Sequence, residues 1–219
     1  MALRSLAVVA LLTLLNACAG SETPKGSLGD APGNPVLTIQ LNGEDPSASF
    51  GLLQRPKEPL RFSVGQGRNG IACAGSRFQE GVTPLGLFRV NAILSEGRFE
   101  MEPELVGRSG RTEAELRSTL FSNMNSIDFK GDGETGEYGT GYISLEPVPL
   151  TDQPFEFNRY DGIFRWYSFA IHGSNDQSRI GQAVTGGCIN VGRFTMDVLL
   201  DRLNLGDLVD IASNNSCLP

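Results

Sequence analysis

The apolar runs in this 219-residue chain are short, and turn residues break them. Val36-Leu37-Thr38-Ile39-Gln40-Leu41, Leu60 to Val64, Leu87 to Leu94, Trp166 to Ile171 and Asp207 to Ile211 each last five to eight residues. They carry Val, Ile, Thr and aromatic residues and are flanked by Gly, Pro, Asn or Asp, a pattern that suits strands and is too brief for most helices. Only two segments read as helices. Thr112 with Glu115 forms a capping box ahead of Leu116, Leu120 and Phe121, and Phe194 to Leu203 carries apolar residues at helical spacing before Gly206. With 27 glycines and 12 prolines to supply turns, the expected class is mostly β with minor α, and no repeat period emerges.

The amino terminus has a different character. Arg4 precedes Leu6 to Leu15, an apolar stretch too short to cross a bilayer as a helix, so residues 1–17 read as an export leader. The sequence Leu15-Asn16-Ala17-Cys18 resembles the lipobox of bacterial lipoproteins, in which the cysteine becomes the acylated first residue. An ordinary cleavage site beside an incidental cysteine is the alternative. Under the lipobox reading, acyl chains on Cys18 would hold the protein on a membrane at about 0.8 kcal/mol per buried CH₂. Ala19, standing where an Asp would mark inner-membrane retention, then implies, for a Gram-negative source, the outer membrane with the protein facing the periplasm. Residues 18–35 are rich in Pro and Gly and read as a flexible tether. The expected globular domain covers 36–212, with an insertion at about 95–147 and a tail at 213–219.

A formal charge of −7 and a pI near 4.8 exclude a nucleic-acid-binding surface, because affinity for a polyanion comes from clustered Lys and Arg. Gly65-Gln66-Gly67-Arg68-Asn69-Gly70 matches a dinucleotide fingerprint and follows a strand, but no helix opens after it to present free N–H groups to a phosphate. Asp128, Asp132, Glu134 and Glu137 miss the spacing of a calcium loop and read as a solvated acidic turn. A zinc site would need all of Cys73, Cys188, Cys217 and His172, with no Cys-x-x-Cys pair among them, so no metal is expected.

Chemistry is expected at Cys188. It lies in Thr185-Gly186-Gly187-Cys188-Ile189-Asn190, sixteen residues after His172, the only histidine in the chain. Glycines before a cysteine let the backbone turn tightly and aim N–H groups at a reacting carbonyl, and an imidazole nearby can take the thiol proton. A buried inert cysteine with a hydrogen-bonded strand-end histidine is the plainer alternative.

Taken together, these segments resemble the L,D-transpeptidases with a YkuD-type catalytic domain. The family signature has a strand ending in His-Gly-Thr or similar, then, after about fourteen residues, Ser/Thr-His-Gly-Cys with an apolar residue and Arg or Asn. Ile171-His172-Gly173-Ser174-Asn175 and Thr185 to Asn190 fit it, while Thr83-Pro84-Leu85-Gly86-Leu87-Phe88 resembles the family's Thr-Pro-x-Gly-x-Phe strand and Ser63-Val64-Gly65 the strand before it. Gly186 departs from the pattern, standing where the signature has a second histidine. The resemblance implies a mixed β-sandwich with a short C-terminal helix, no cofactor, and peptidoglycan stem peptides as substrate. It further implies that Cys188 is the nucleophile, His172 the base, the Gly173 carbonyl and the Ser174 hydroxyl the groups that orient His172, and the N–H groups of Gly187 and Cys188 the oxyanion donors. The thioester would be resolved by an amine of a second stem to give a 3→3 cross-link, or by water in an L,D-carboxypeptidase. Loss of the second histidine leaves a catalytically weakened, lipid-anchored wall-binding protein as the alternative.

The remaining cysteines follow by elimination. With Cys18 acylated and Cys188 kept as a thiol, Cys73 and Cys217 are left to pair in an oxidising compartment, the alternative being two unrelated thiols.

Overall fold

The computed structural model describes residues 33–54, 58–126, 138–149, 156–160, 163–167, 169–214 and 217–218. The leader, Cys18, most of the tether and the acidic turn from Asp128 to Glu137 lie outside the described residues. The compact unit is Gly33–Pro219.

Its strands and helices follow in chain order. The first half supplies β1 (Leu37–Leu41), β2 (Phe50–Leu53), β3 (Leu60–Gly67), β4 (Gly70–Ala72), β5 (Val82–Pro84), β6 (Gly86–Ser95) and β7 (Phe99–Met101). Two helices come next, α1 (Pro103–Ser109) and α2 (Glu113–Ser126), then β8 (Gly141–Pro147), β9 (Glu156–Tyr160), β10 (Ile163–Tyr167) and β11 (Phe169–His172). The chain ends with β12 (Ala183–Thr185), β13 (Ile189–Val191), α3 (Arg193–Arg202) and β14 (Leu208–Ser213).

The main sheet runs β12-β3-β13-β11-β8-β6-β14-β1-β2, with β7 added beside β6. Because β2 also pairs with β3, the sheet closes on itself, and the layers of the sandwich are continuous around an apolar interior. The sheet is mixed: β1 with β14, β11 with β13 and β12 with β3 are parallel, whereas β6, β8 and β11 pair antiparallel. Parallel neighbours need crossovers, and the Phe169-to-Val191 segment provides the short one that brings β13 back beside β11.

Period-two alternation sends side chains of the central strands into two separate cores. Ile143 and Leu145 of β8, with Phe169 and Ile171 of β11, join Val64, Val90, Ile189 and the α3 residues Met196 and Leu199 inside the closed sheet. On the opposite face Tyr142 and Ala170 meet Ala92 and Leu94 of β6, under Leu105 of α1 and Leu116 and Leu120 of α2. A bulge between Val90 and Ala92 flips the parity of β6 partway along, so that one strand feeds both cores.

The capping box forms as expected: the Thr112 N–H donates to Glu115 Oε2 at 2.8 Å and the Glu115 N–H to Thr112 Oγ1 at 3.3 Å. Three features depart from the sequence reading. The run Trp166 to Ile171 is split, with Tyr167 ending β10 in a hairpin with β9 and Phe169 opening β11 in the main sheet; a single serine inside an otherwise apolar run carries no signal of a change of sheet. A third helix, α1, starts on Pro103 and stops at Gly110 in the left-handed conformation (φ 65), a pairing that short length concealed. The segment expected as an insertion from 95 to 147 contributes β7 and the largely buried β8 to the sheet, with α1 and α2 lying between them in the chain.

Candidate active site

The parallel pair β11 and β13 is in register at Ile171 with Ile189 and at His172 with Asn190. Ile171 and Ile189 enter the inner core, so alternation turns His172 and Asn190 to the face covered by the helices. Cys188, one residue before Ile189, packs against that same second core. His172, at the end of β11, and Cys188, the residue just before β13, therefore both pack toward the second core.

His172 is buried at 6% exposure and its Nδ1 lies 2.6 Å from the Gly173 carbonyl oxygen. A carbonyl only accepts, so Nδ1 carries the proton and, in the neutral ring, Nε2 is left with its lone pair. Burial pushes the imidazole down to about 4, opposed by the Gly173 hydrogen bond and helped by the nearby Arg179 charge, so the ring is neutral at pH 7. Tyr138 packs tilted against the imidazole, with ring centroids 4.4 Å apart, and the Tyr142 ring lies 6.4 Å away and nearly parallel. The stretch just before β8 presses on this turn: a Cβ on Gly139 (φ +62) would lie 2.7 Å from the Ser174 nitrogen. Ser174 does not help to orient the ring as expected. Its hydroxyl bridges the carbonyl and N–H of Asp176, which fixes the turn after His172 instead.

Two threonine hydroxyls hold the turn that carries Cys188. Thr185 Oγ1 donates to the Cys188 carbonyl at 2.6 Å and accepts the Gly187 N–H at 3.1 Å. Thr83, fully buried in β5, donates to the Gly187 carbonyl at 2.8 Å and accepts the Gly67 N–H at 2.8 Å. Gly187 has φ +122, and a Cβ there would lie 2.7 Å from the Val82 carbonyl oxygen and 2.9 Å from Phe78 Cε2, so only glycine fits. Its N–H, expected to serve an oxyanion, is already committed to Thr185 and would have to leave that bond to do so. Burial raises the Cys188 thiol to about 12, with Glu80 adding to the rise and a main-chain hydrogen bond at Ala170 opposing it. Thiol and imidazole are thus both uncharged at rest.

The glycines that mimicked a dinucleotide fingerprint have a packing role. Gly65 leaves room for Asn190 Oδ1, and Gly67 for the Gly81 carbonyl. Asn190 is 1% exposed, and both polar atoms of its side chain lack a hydrogen-bond partner within the described structure. Cys73 and Cys217 are joined as a disulfide with Cα atoms 5.0 Å apart, and Cys188 is the free cysteine among the described residues. No group of three or more His, Cys, Asp or Glu side chains placed to hold a metal ion occurs among the described residues. Sequence reasoning missed Thr83, Thr185, Tyr138 and Glu80 as parts of this site. The two threonines stood in the motif segments; Tyr138 and Glu80 gave no local signal.

The family model for the L,D-transpeptidase catalytic domain, YkuD, matches residues 47–211. No curated protein matches the sequence. Among solved structures, an L,D-transpeptidase from Mycobacterium smegmatis is similar at 13% identity and a TM-score of 0.36, over 82% of this chain and 59% of that one. One from Mycobacterium tuberculosis shares 10% identity at a TM-score of 0.41, over 82% and 58%, and one from Xylanimonas cellulosilytica 11% at 0.37, over 83% and 63%. The chain thus spans about three fifths of the length of these relatives. With the family model covering more than half of the sequence, the chain belongs to the L,D-transpeptidase family with a YkuD-type catalytic domain.

Proposed function

We propose that this protein is a peptidoglycan L,D-transpeptidase that works through a thioester on Cys188. The observation that carries this reading is the parallel pairing of β11 and β13, which sets Cys188, the residue before β13, and a neutral His172 with its Nδ1 proton fixed on Gly173, at the end of β11, toward the same second core. The donor is a stem tetrapeptide. As the sulfur attacks the carbonyl between its third residue and the terminal D-Ala, the thiol proton passes to His172 Nε2. A thiol near 12 and an imidazole near 4 favour the uncharged pair, so transfer accompanies attack rather than preceding it. The oxyanion is held by the Cys188 N–H, and by that of Gly187 once it turns from Thr185; such donors contribute about 3 to 4 kcal/mol each. On collapse the C–N bond breaks and the imidazolium returns its proton to the amine of departing D-Ala. An amine from a second stem then attacks the thioester, His172 takes its proton, the C–S bond breaks, and the thiolate is reprotonated. Water in place of the amine gives L,D-carboxypeptidase activity.

Acylation at Cys18 anchors the protein on the outer membrane, facing the periplasm and the wall; a Cys18→Ser chain should appear in the soluble fraction. A second reading, a weakened wall-binding protein, is favoured by Gly186 in place of the second histidine. Disaccharide-tetrapeptide incubated with the full-length protein and read by mass spectrometry separates the two. Loss of D-Ala with formation of dimers is expected from the enzyme, and unchanged tetrapeptide from the binding protein. A carbapenem should add its mass to the wild type and not to Cys188→Ala, and His172→Ala should acylate roughly 10² to 10⁴ times more slowly. Adducts on both proteins would remove Cys188 from the role.

A further inference from the structure

Gly186 has no side chain, and the space beside it is taken by a carboxylate: a Cβ on Gly186 would lie 2.9 Å from Glu80 Oε1. Glu80 is held there by its neighbours' main chain, since the Gly81 N–H donates to the Gly186 carbonyl at 2.7 Å and Asn69 Nδ2 to the Glu80 carbonyl at 3.2 Å. Its partner is Arg68, whose Nη2 lies 3.0 Å from Glu80 Oε1. Arg68 is tied to the same turn, donating its N–H at 3.0 Å and its Nη1 at 3.4 Å to the Thr185 carbonyl. An opposite-charge pair thus stands against Thr185 and Gly186, three and two residues before Cys188. Both side chains are about half exposed, and an ion pair this open contributes little to stability. The carboxylate also works against the nucleophile, because Glu80 raises the thiol's pKa. Neither stability nor thiol activation accounts for the pair.

We propose that Glu80 and Arg68 are specificity-determining residues that receive the zwitterionic amino-acid centre of the acyl acceptor, Glu80 holding its ammonium and Arg68 its carboxylate. This rests on the transpeptidase reading above. A carboxylate and an ammonium on one carbon match two opposite charges already in contact, so the acceptor exchanges one ion pair for two. Its ammonium then waits beside the thioester, where His172 takes a proton and the freed amine attacks. Water carries neither charge, so the pair favours aminolysis over hydrolysis. The centre can come from a free D-amino acid or from the charged end of a diamino acid in a second stem.

Binding of D-alanine to the full-length protein, followed by NMR titration, tests this without turnover. Glu80→Gln should weaken it roughly ten- to hundredfold, the value of a lost charged hydrogen bond, and Arg68→Gln comparably. D-alaninamide, which lacks the carboxylate, should feel Glu80→Gln and not Arg68→Gln. Product ratios identify the source: exchange products with D-alanine, or dimers from tetrapeptide alone, should fall relative to the hydrolysed tripeptide in Glu80→Gln. Equal D-alanine affinity in wild type and Glu80→Gln, or an unchanged ratio in both arms, overturns the proposal. Carbapenem adduct formation needs no acceptor and reads Cys188 separately. A wild type that forms no adduct yet binds D-alanine through Glu80 would sink the transpeptidase reading and leave the recognition site standing.

Discussion

At the scale of single residues the site depends on buried groups kept uncharged. Burial holds His172 at about 4 against an ordinary 6.5, so between these values the unfolded chain binds a proton that the folded chain refuses. Stability should therefore fall as pH drops from 6.5 to 4, by up to about 3 kcal/mol. Denaturant titrations at several pH values check this: His172→Gln should flatten the acid limb, and an identical slope in wild type and variant would contradict it. Cys188 acts at the other end, where the unfolded chain loses its thiol proton above 9 and the folded chain keeps it to about 12, so stability should decline across that range. Thr83 is a second test. Replacing it with Val leaves the Gly67 N–H and the Gly187 carbonyl buried without their partner, at a cost of about 1 to 3 kcal/mol. Because Gly187 precedes Cys188, the proposed nucleophile, Thr83→Val should also slow carbapenem acylation, and Thr83→Ser should restore both. A Val variant with wild-type stability and rate would show that the clamp is idle.

At the scale of elements, the helical segment between β7 and β8 is what turns one face of the sheet into an enclosed site. Leu105, Leu116 and Leu120 cover Tyr142 and Ala170, and the return through Tyr138 and Gly139 lays an aromatic ring on His172. Leu116→Ala should destabilise the protein by about 2 to 5 kcal/mol, in line with other buried leucines, and speed amide hydrogen exchange in α2 ahead of the inner strands. Unaltered exchange in α2 would mean the helix does not depend on the second core.

The whole folded unit is a closed sheet whose carboxyl-terminal tail is drawn back onto its first half. The disulfide spans 144 residues, and beside it Leu218 receives the Cys73 N–H at 2.8 Å and donates to the Ile71 carbonyl at 2.8 Å. Chain entropy assigns such a loop about 5 kcal/mol, less whatever the unfolded state retains. Cys217→Ser should lower the unfolding free energy by several kcal/mol and make it insensitive to reductant. Equal melting of wild type and variant under oxidising conditions would overturn this. The bridge anchors the tail to the loop between β4 and β5, the stretch that goes on to Glu80 and Thr83. Loosening it should therefore also reduce acylation at Cys188.

The sequence alone determined the mostly β class, four of the five strand runs, both longer helices and the segments around His172 and Cys188. These signals are local: alternation, turn residues, a capping box at Thr112, and glycines that leave the backbone no alternative at positions such as Gly187. Pairing Cys73 with Cys217 was legible by counting thiols. Only the tertiary structure decided that β2 closes the sheet onto β3, that β8 is a central strand, that β10 and β11 part company, and that Thr83 reaches across 104 residues to Gly187. It likewise decided that the Gly187 N–H is taken by Thr185 and that Glu80 fills the space beside Gly186. Each of these depends on which distant segments are brought side by side, a property of strand order and register that no run of neighbouring residues encodes.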